Sequence, residues 1–432
     1  MRIDSIQLRN FDCFEDRTFS LAPRFTLIVG DNATGKTSVL DGLAVGVGSL
    51  FLGFPSPAAA RSIFRDEVRF KFYHHGETLT AERQFPSEVI CKGMVSEKTG
   101  EWARELTSLE GRTTRQHSDW IRVIGEQLRS EVEAGQAVVL PVVSYYGTGR
   151  LWLQIRQREV VTPGPQSRFI GYLDCLHPAL DQKRLFEWFK KQEIAALQRG
   201  ELGRTLEACR QAILRCLPGA RRVYFDVSQD QLILEFPDQL LSMSDLSDGY
   251  RNMLAMTADI AIRCATLNPA LETEAVLATP GVVLVDEIDL HLHPKWQRRV
   301  VTDLLRTFPR IQFVATTHSP FVIQSLPASN DVKLLNLDDE AANDFINKSV
   351  EDITEEVQKV EVPQRSKRFN DMMEVAGRYY ALLNDARNAP AIELENLKRQ
   401  LDELSAPFSD DPAYQAFLKM QRAASGIDKE KP

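Results

Sequence analysis

An α/β fold is expected from three apolar runs that each deliver polar residues at their carboxyl ends. Phe25 to Val29 runs into Gly30-Asp-Asn-Ala-Thr-Gly-Lys-Thr-Ser38, Gly281 to Val285 into Asp286-Glu287, and Ile311 to Thr316 into Thr317-His318-Ser319. Continuous apolar runs of this length suit strands buried on both faces, as in a parallel sheet with chemistry at its carboxyl edge. The chain has 432 residues, 43% hydrophobic and 26% charged, enough for one large core or two smaller ones. A net charge of −8 argues against a wholly basic nucleic-acid coat. Arg221-Arg222 and Arg298-Arg299 read as solvated faces.

From the amino end, Ile3 to Leu8 alternates as a strand, and Arg17 to Leu21 adds another. A helix from Lys36 to about Leu52 carries Val39, Leu43, Val47 and Leu50 at helical spacing. Val68 to His74 and Thr78 to Phe85 predict a hairpin around Gly76, in a β-rich lobe. Trp102 to Glu133 reads as polar helix broken near Gly111, Val138 to Tyr146 as an apolar strand, and Leu176 to Leu217 as helix. Val223 to Phe225 and Leu232 to Phe236 suggest a further hairpin. Beyond Ser349 come polar helices separated by prolines. The six cysteines show no C-x-x-C spacing, which predicts a reduced, cytoplasmic setting, and no apolar stretch is long enough to span a bilayer.

The G-x-x-x-x-G-K-[ST] loop predicts a P-loop nucleotide site formed by Gly30, Asp31, Asn32, Ala33, Thr34, Gly35, Lys36, Thr37 and Ser38. Small residues and Gly35 let backbone N–H groups turn inward, and the helix from Lys36 directs its positive end at phosphate. Lys36 reaches the β/γ-phosphates and Thr37 is placed to ligate Mg²⁺. Asp286 is expected in the Mg²⁺ shell, and Glu287 as the residue that orients and deprotonates the attacking water. His318 is read as a γ-phosphate sensor, against the plainer role of a structural hydrogen-bond donor. Asp289, His291 and His293 suit an acidic turn before a helix opened by Pro294 better than a metal cluster. Ser247 and Gly249 open a helix, as a simple cap or as a second anion-binding terminus.

Leu246-Ser-Asp-Gly-Tyr250, upstream of the acid pair, resembles the signature of ABC-type ATPase heads. With Ile3 to Phe14, the phosphate loop and Thr317-His-Ser-Pro320, the chain resembles the RecF, SMC and overcoming-lysogenisation-defect ATPases. Asp248 and Tyr250 replace the glycine and glutamine usual in transporter signatures, and Gln154 is the nearest match to the glutamine loop. The resemblance covers roughly residues 1–85 and 240–335. It implies ATP and Mg²⁺ as ligands and head-to-tail dimers in which Ser247 and Gly249 of one copy complete the site of another. Tyr145 to Trp152, Leu284 to Pro294 and the tail through Tyr414 are similar to the ATPase subunit of Septu-type antiphage systems, including retron-associated versions. That implies an HNH nuclease partner, and in some systems a reverse transcriptase with its RNA–DNA product.

The organisation expected is a P-loop NTPase with an ABC-type head at 1–85 and 240–345, an inserted, mostly helical lobe at 86–239, and a C-terminal helical region at 346–432. The last would dock the partner through a face including Met372, Tyr379, Leu383 and Leu397, or pack on the head. The function expected is an ATP-hydrolysing regulator that holds or releases a partner nuclease, with catalysis of strand cleavage elsewhere and no membrane role. The alternative is a RecF-like, ATP-dependent DNA repair or replication factor that binds DNA directly.

Overall fold

Five parallel strands carry the site. The computed structural model describes residues 1–54, 60–76, 78–150, 167–201, 203–338, 348–359, 367–384 and 391–405. Its central sheet has the order β14 (Val332–Asn336), β3 (Phe25–Val29), β13 (Ile311–Thr316), β12 (Gly281–Val285), β8 (Val142–Tyr146). Every pairing in it is parallel. The inner strands β3, β13 and β12, and also β8, are buried along their whole length, as continuous apolar runs require.

A second, antiparallel sheet has the order β2 (Phe14–Ser20), β1 (Arg2–Phe11), β6 (Ser87–Val95), β7 (Lys98–Leu106). Helix α1 (Lys36–Gly48) lies between the sheets, packed on β1 and β6 on one side and β12 and β13 on the other. It is therefore buried nearly all round rather than amphipathic. Buried Trp102 on β7 donates its indole N–H to Gly46 O at 2.9 Å, which ties the antiparallel sheet to that helix. Gln312 on β13 makes the matching tie. The β1–β6 register slips between Ile3 and Ser5, and the side chain of Gln312 accepts from Ile3 N at 2.8 Å and donates to Ile3 O at 2.7 Å and Ala22 O at 2.8 Å. A buried amide thus satisfies the backbone that the bulge leaves unpaired.

The hairpin β4 (Phe70–His75) and β5 (Thr78–Arg83) forms around Gly76 with every strand residue at least partly solvent-facing. A three-stranded sheet, β9 (Arg222–Asp226), β10 (Gln231–Glu235) and β11 (Leu240–Ser242), precedes α5 (Asp248–Leu267). Further α-helices among the described residues are α2 (Asp119–Glu133), α3 (Gln182–Arg199), α4 (Arg204–Cys216), α6 (Ala275–Ala278), α7 (Pro294–Gln297), α8 (Val300–Thr307), α9 (Pro320–Gln324) and α10 (Val350–Glu356). The chain divides into one unit over Met1–Ile353 and a second over Thr354–Pro432. In the second, α11 (Lys367–Asn384) and α12 (Ala391–Ser405) pack around Met372, Ala376 and Leu401.

Three expectations change. Trp102 to Leu106 is strand, not helix, because Trp102, Arg104 and Leu106 face inward at period two; a buried arginine hid that alternation. The stretch 86–239 accordingly contributes β6 and β7 to the sheet begun by β1, along with β8 to β10, as well as helices. Met372, expected on a docking face, is fully buried between α11 and α12, while Tyr379 and Leu397 are half-buried. Gln154, Leu151-Trp152, the side chain of Leu383 and the tail from residue 406 lie outside the described residues. No described helix is long and apolar enough to cross a membrane. Of the six free cysteines, five are buried and Cys13 is exposed.

Candidate functional site: a phosphate loop and an acid pair

The phosphate loop leaves β3 at the centre of the sheet and is shaped by backbone. Ala33 and Gly35 adopt left-handed conformations, with φ of 67° and 93°. Gly35 has no alternative: a Cβ there would lie 2.5 Å from Cys13 Sγ and from Phe14 Cζ. Lys36 Nζ donates to Gly30 O at 2.8 Å and Asp31 O at 2.7 Å, so the ammonium is held across the mouth of the loop. Burial lowers its pKa, while the carboxylates of Asp338, Asp286, Asp31 and Glu287 pull the other way. Thr34 Oγ1 donates to Asp31 O at 2.9 Å, Asn32 and Ala33 are exposed, and the Ser38 hydroxyl bonds the Asp12 carboxylate. Exposed Asp338, two residues past β14, accepts the Asp31 N–H at 2.7 Å. An amide of the loop therefore already faces an anionic oxygen.

The acid pair sits at the end of β12. Thr37 Oγ1 donates to Asp286 Oδ2 at 3.0 Å, joining the loop to the acid. Thr316 Oγ1, at the end of β13, donates to the other oxygen, Asp286 Oδ1, at 2.6 Å and accepts from Glu287 N at 2.7 Å. Glu287 has φ of 47°, which is strained for a residue with a side chain. Arg150, only 1% exposed, counters that strain: its guanidinium donates to Asp286 O at 2.7 Å, Glu287 O at 2.9 Å and Gly147 O at 3.0 Å. Its Nε donates to Asn252 Oδ1 at 2.6 Å, and Asn252 Nδ2 donates onward to Leu290 O at 2.9 Å. Burial pushes the Arg150 guanidinium down to about 10, so it stays charged at neutral pH.

Asn252 belongs to α5, whose first residues are the signature. Gly249 is buried where a Cβ would lie 2.5 Å from His291 O, so glycine lets the helix approach the turn after the acid pair. Ser247 occupies the N-cap position and is exposed, yet its hydroxyl makes no cap hydrogen bond. Among the described residues no hydrogen bond joins Ser247 to the phosphate loop. Deeper in α5, Asp259 accepts from Tyr146 Oη at 2.7 Å and pairs with Arg263 at 2.6 Å and Arg184 at 3.3 Å. Burial opposes ionisation of Asp259, but the two arginines outweigh it and hold its carboxyl below the usual range. These bonds anchor the signature helix to β8 and α3.

The structure thus brings Gly30 to Ser38, Asp286 and Glu287 together in one protomer. His318 is exposed two residues past Thr316, and the neighbouring Thr317 hydroxyl bonds Asp289. His293 accepts from Lys295 N at 3.2 Å as the cap of α7, which accounts for one of the histidines without metal. Sequence reasoning missed Arg150, Asn252, Thr316 and Asp259. The only local sign of the last was a carboxylate and an arginine one turn apart in an otherwise apolar helix; Arg150 carried no local sign at all.

Two family descriptions match the chain: "AAA domain" over residues 5–215, and "AAA domain, putative AbiEii toxin, Type IV TA system" over residues 230–324. The Retron Ec83 probable ATPase of Escherichia coli is 26% identical over 76% of this chain and 71% of its own length. The Septu protein PtuA of Bacillus mycoides is 32% identical over 41% of this chain and 25% of its own. Among solved structures, the SMC head domain from Thermotoga maritima aligns with a TM-score of 0.43 at 16% identity, covering 77% of this chain and 94% of that one.

Proposed function

We propose that this chain is an ABC-type P-loop ATPase of the RecF and SMC class, and that it is the ATP-hydrolysing regulatory subunit of a cytoplasmic antiphage defence complex, assembled head to tail and controlling a partner HNH nuclease by nucleotide state. The relatives named for retron and Septu systems support the setting. One observation carries the assembly: the Ser247 hydroxyl stands uncapped and exposed at the N-terminus of α5, while the rest of the site is already joined within one protomer. A hydroxyl and backbone amides at a free helix terminus suit phosphate supplied from a neighbouring copy.

In this reading the amides of residues 30–38 and Lys36 bind the triphosphate, with Lys36 exchanging two loop carbonyls for phosphate oxygens. Thr37 and Asp286 present converging oxygens that fit Mg²⁺, and they would hold it. Bound there, the ion supplies charge neutralisation at the β- and γ-phosphates. Glu287 takes the proton of the attacking water, its backbone fixed by Thr316 and Arg150. His318 contacts the γ-phosphate. Loss of that group loosens the contact with Ser247 and Gly249 of the neighbouring copy, and the change passes to the nuclease. A reverse transcriptase with its RNA–DNA product is a further partner in retron-type versions of such a complex.

Light scattering tests the assembly with Glu287→Gln, which should form dimers or larger species with ATP and Mg²⁺ but not with ADP. Ser247→Arg should abolish that assembly. A chain that stays monomeric with ATP, or assembles equally well with the arginine, would overturn the proposal.

A further inference from the structure

A second anion-seeking surface is formed by residues outside the phosphate loop and the acid pair. Between the end of β7 with loop 111–115 and the segment 60–66 lies a cleft of about 930 Å³. Its charged lining is Arg65, Arg104, Arg112 and Arg115 against a single carboxylate, Asp66. Arg104 is the telling member. It is 2% exposed, and its guanidinium donates to two carbonyls, Thr114 O at 3.0 Å and Arg61 O at 3.5 Å. Among the described residues no carboxylate pairs with it. Arg61 beside it, by contrast, is paired with the carboxyl groups of Asp41 at 2.9 Å and Glu67 at 2.6 Å. Burial, with the charge of Arg115 adding to it, pushes Arg104 down to about 10, still cationic at neutral pH. Carbonyl oxygens satisfy its hydrogen bonds but do not neutralise its charge, so an anion entering the cleft would be attracted to it.

A second, independent feature points the same way. Thr114 Oγ1, on the same lining, is buried without a hydrogen-bond partner. The walls are preformed, since Thr113 Oγ1 accepts from Ile63 N at 3.0 Å across the cleft's end. Phe64, 52% exposed on the lining, has the Arg61 guanidinium 5.1 Å from its ring centroid. Guanidinium groups bind phosphate oxygens in paired hydrogen bonds, and an exposed ring beside them can stack a base.

We propose that this cleft binds a nucleotide unit, its phosphate held by Arg104, Arg112 and Arg115 with the Thr114 hydroxyl, and its base against Phe64. The unit comes either as a free nucleotide or as part of a single strand. The lining shares no residue with the phosphate loop or the acid pair, and the proposal does not depend on the function proposed above.

Calorimetric titration of the full-length Lys36→Ala protein, whose phosphate loop is disabled, with AMP and with a strand of about fifteen thymidylates tests this. Binding of AMP identifies the free nucleotide, and binding of the strand alone identifies the polymer; either supports the site provided that Arg112→Glu with Arg115→Glu weakens it at least about ten-fold. Both arginines are exposed, so thermal unfolding of the double variant serves as the control for folding. Binding of neither probe, or affinity unchanged by the double reversal, overturns the proposal.

Discussion

The two halves of the nucleotide site are held in different ways. The phosphate loop is positioned mainly by its own backbone: Ala33 and Gly35 in left-handed conformations, and Lys36 bonded to the carbonyls of residues five and six positions earlier. The acid pair is positioned by side chains from afar, with Thr316 twenty-nine and thirty residues away and Arg150 more than a hundred. A contiguous loop carries its geometry wherever a strand and a helix flank it. The acid pair has its geometry only after β8, β12, β13 and α5 have come together.

The largest effects should remove chemistry from either half. Lys36→Ala and Glu287→Gln should each lower ATP turnover by about 10²–10³-fold. They should part in binding, because only the lysine change should weaken retention of ATP on a filter. Equal loss of binding in both would mean that the acid pair also anchors the ground-state nucleotide.

Arg150→Lys sharpens the contrast further. Lysine keeps the charge but cannot make the fork to Gly147, Asp286 and Glu287 carbonyls together with Asn252. Steady-state kinetics should show kcat down about ten-fold with KM for ATP changed much less. A rise in KM with kcat intact would instead place Arg150 on the binding side of the site.

Thr316→Val removes two hydrogen bonds inside the acid corner and should cost about 1–3 kcal/mol, read as a lower midpoint in urea. Gly35→Ala places a Cβ against Cys13 and Phe14 at a strained φ, and should cost a similar or smaller amount while raising KM. If the valine variant is as stable as the parent, the long-range bracing of Glu287 is not what holds its φ of 47°.

A smaller effect tests the support beneath the loop. Glu67, whose backbone carbonyl accepts from Asp12 N, is raised to about 7 by burial, against the pull of Arg61. A raised carboxyl stabilises the fold fully below its unfolded value, and that contribution fades as pH climbs through about 7. Melting temperatures of the parent should therefore fall relative to Glu67→Gln between about pH 4.5 and pH 7. Parallel melting curves for the two proteins across that range would remove Glu67 from the account.

Legibility followed the same division. The β3 strand, the loop and the start of α1 could be read directly, because a five-residue buried strand and a phosphate loop are specified by neighbours in the chain. The hairpin around Gly76 was equally readable, since a glycine turn between two β-rich runs is a local signal. Trp102 to Leu106 was misread because its inward-facing Arg104 breaks the hydropathy alternation on which strand assignment rests.

Patterns along the chain were sufficient to pick out the candidate residues: the loop that follows β3, the pair of acids that ends β12, and the serine that opens α5. Tertiary structure alone decided what braces them. Arg150, Asn252 and Thr316 meet at the acid pair only because elements distant in the chain become neighbours in the fold. Local patterns record what a residue must do with its immediate neighbours, whereas a buried arginine takes its meaning from partners that the fold selects.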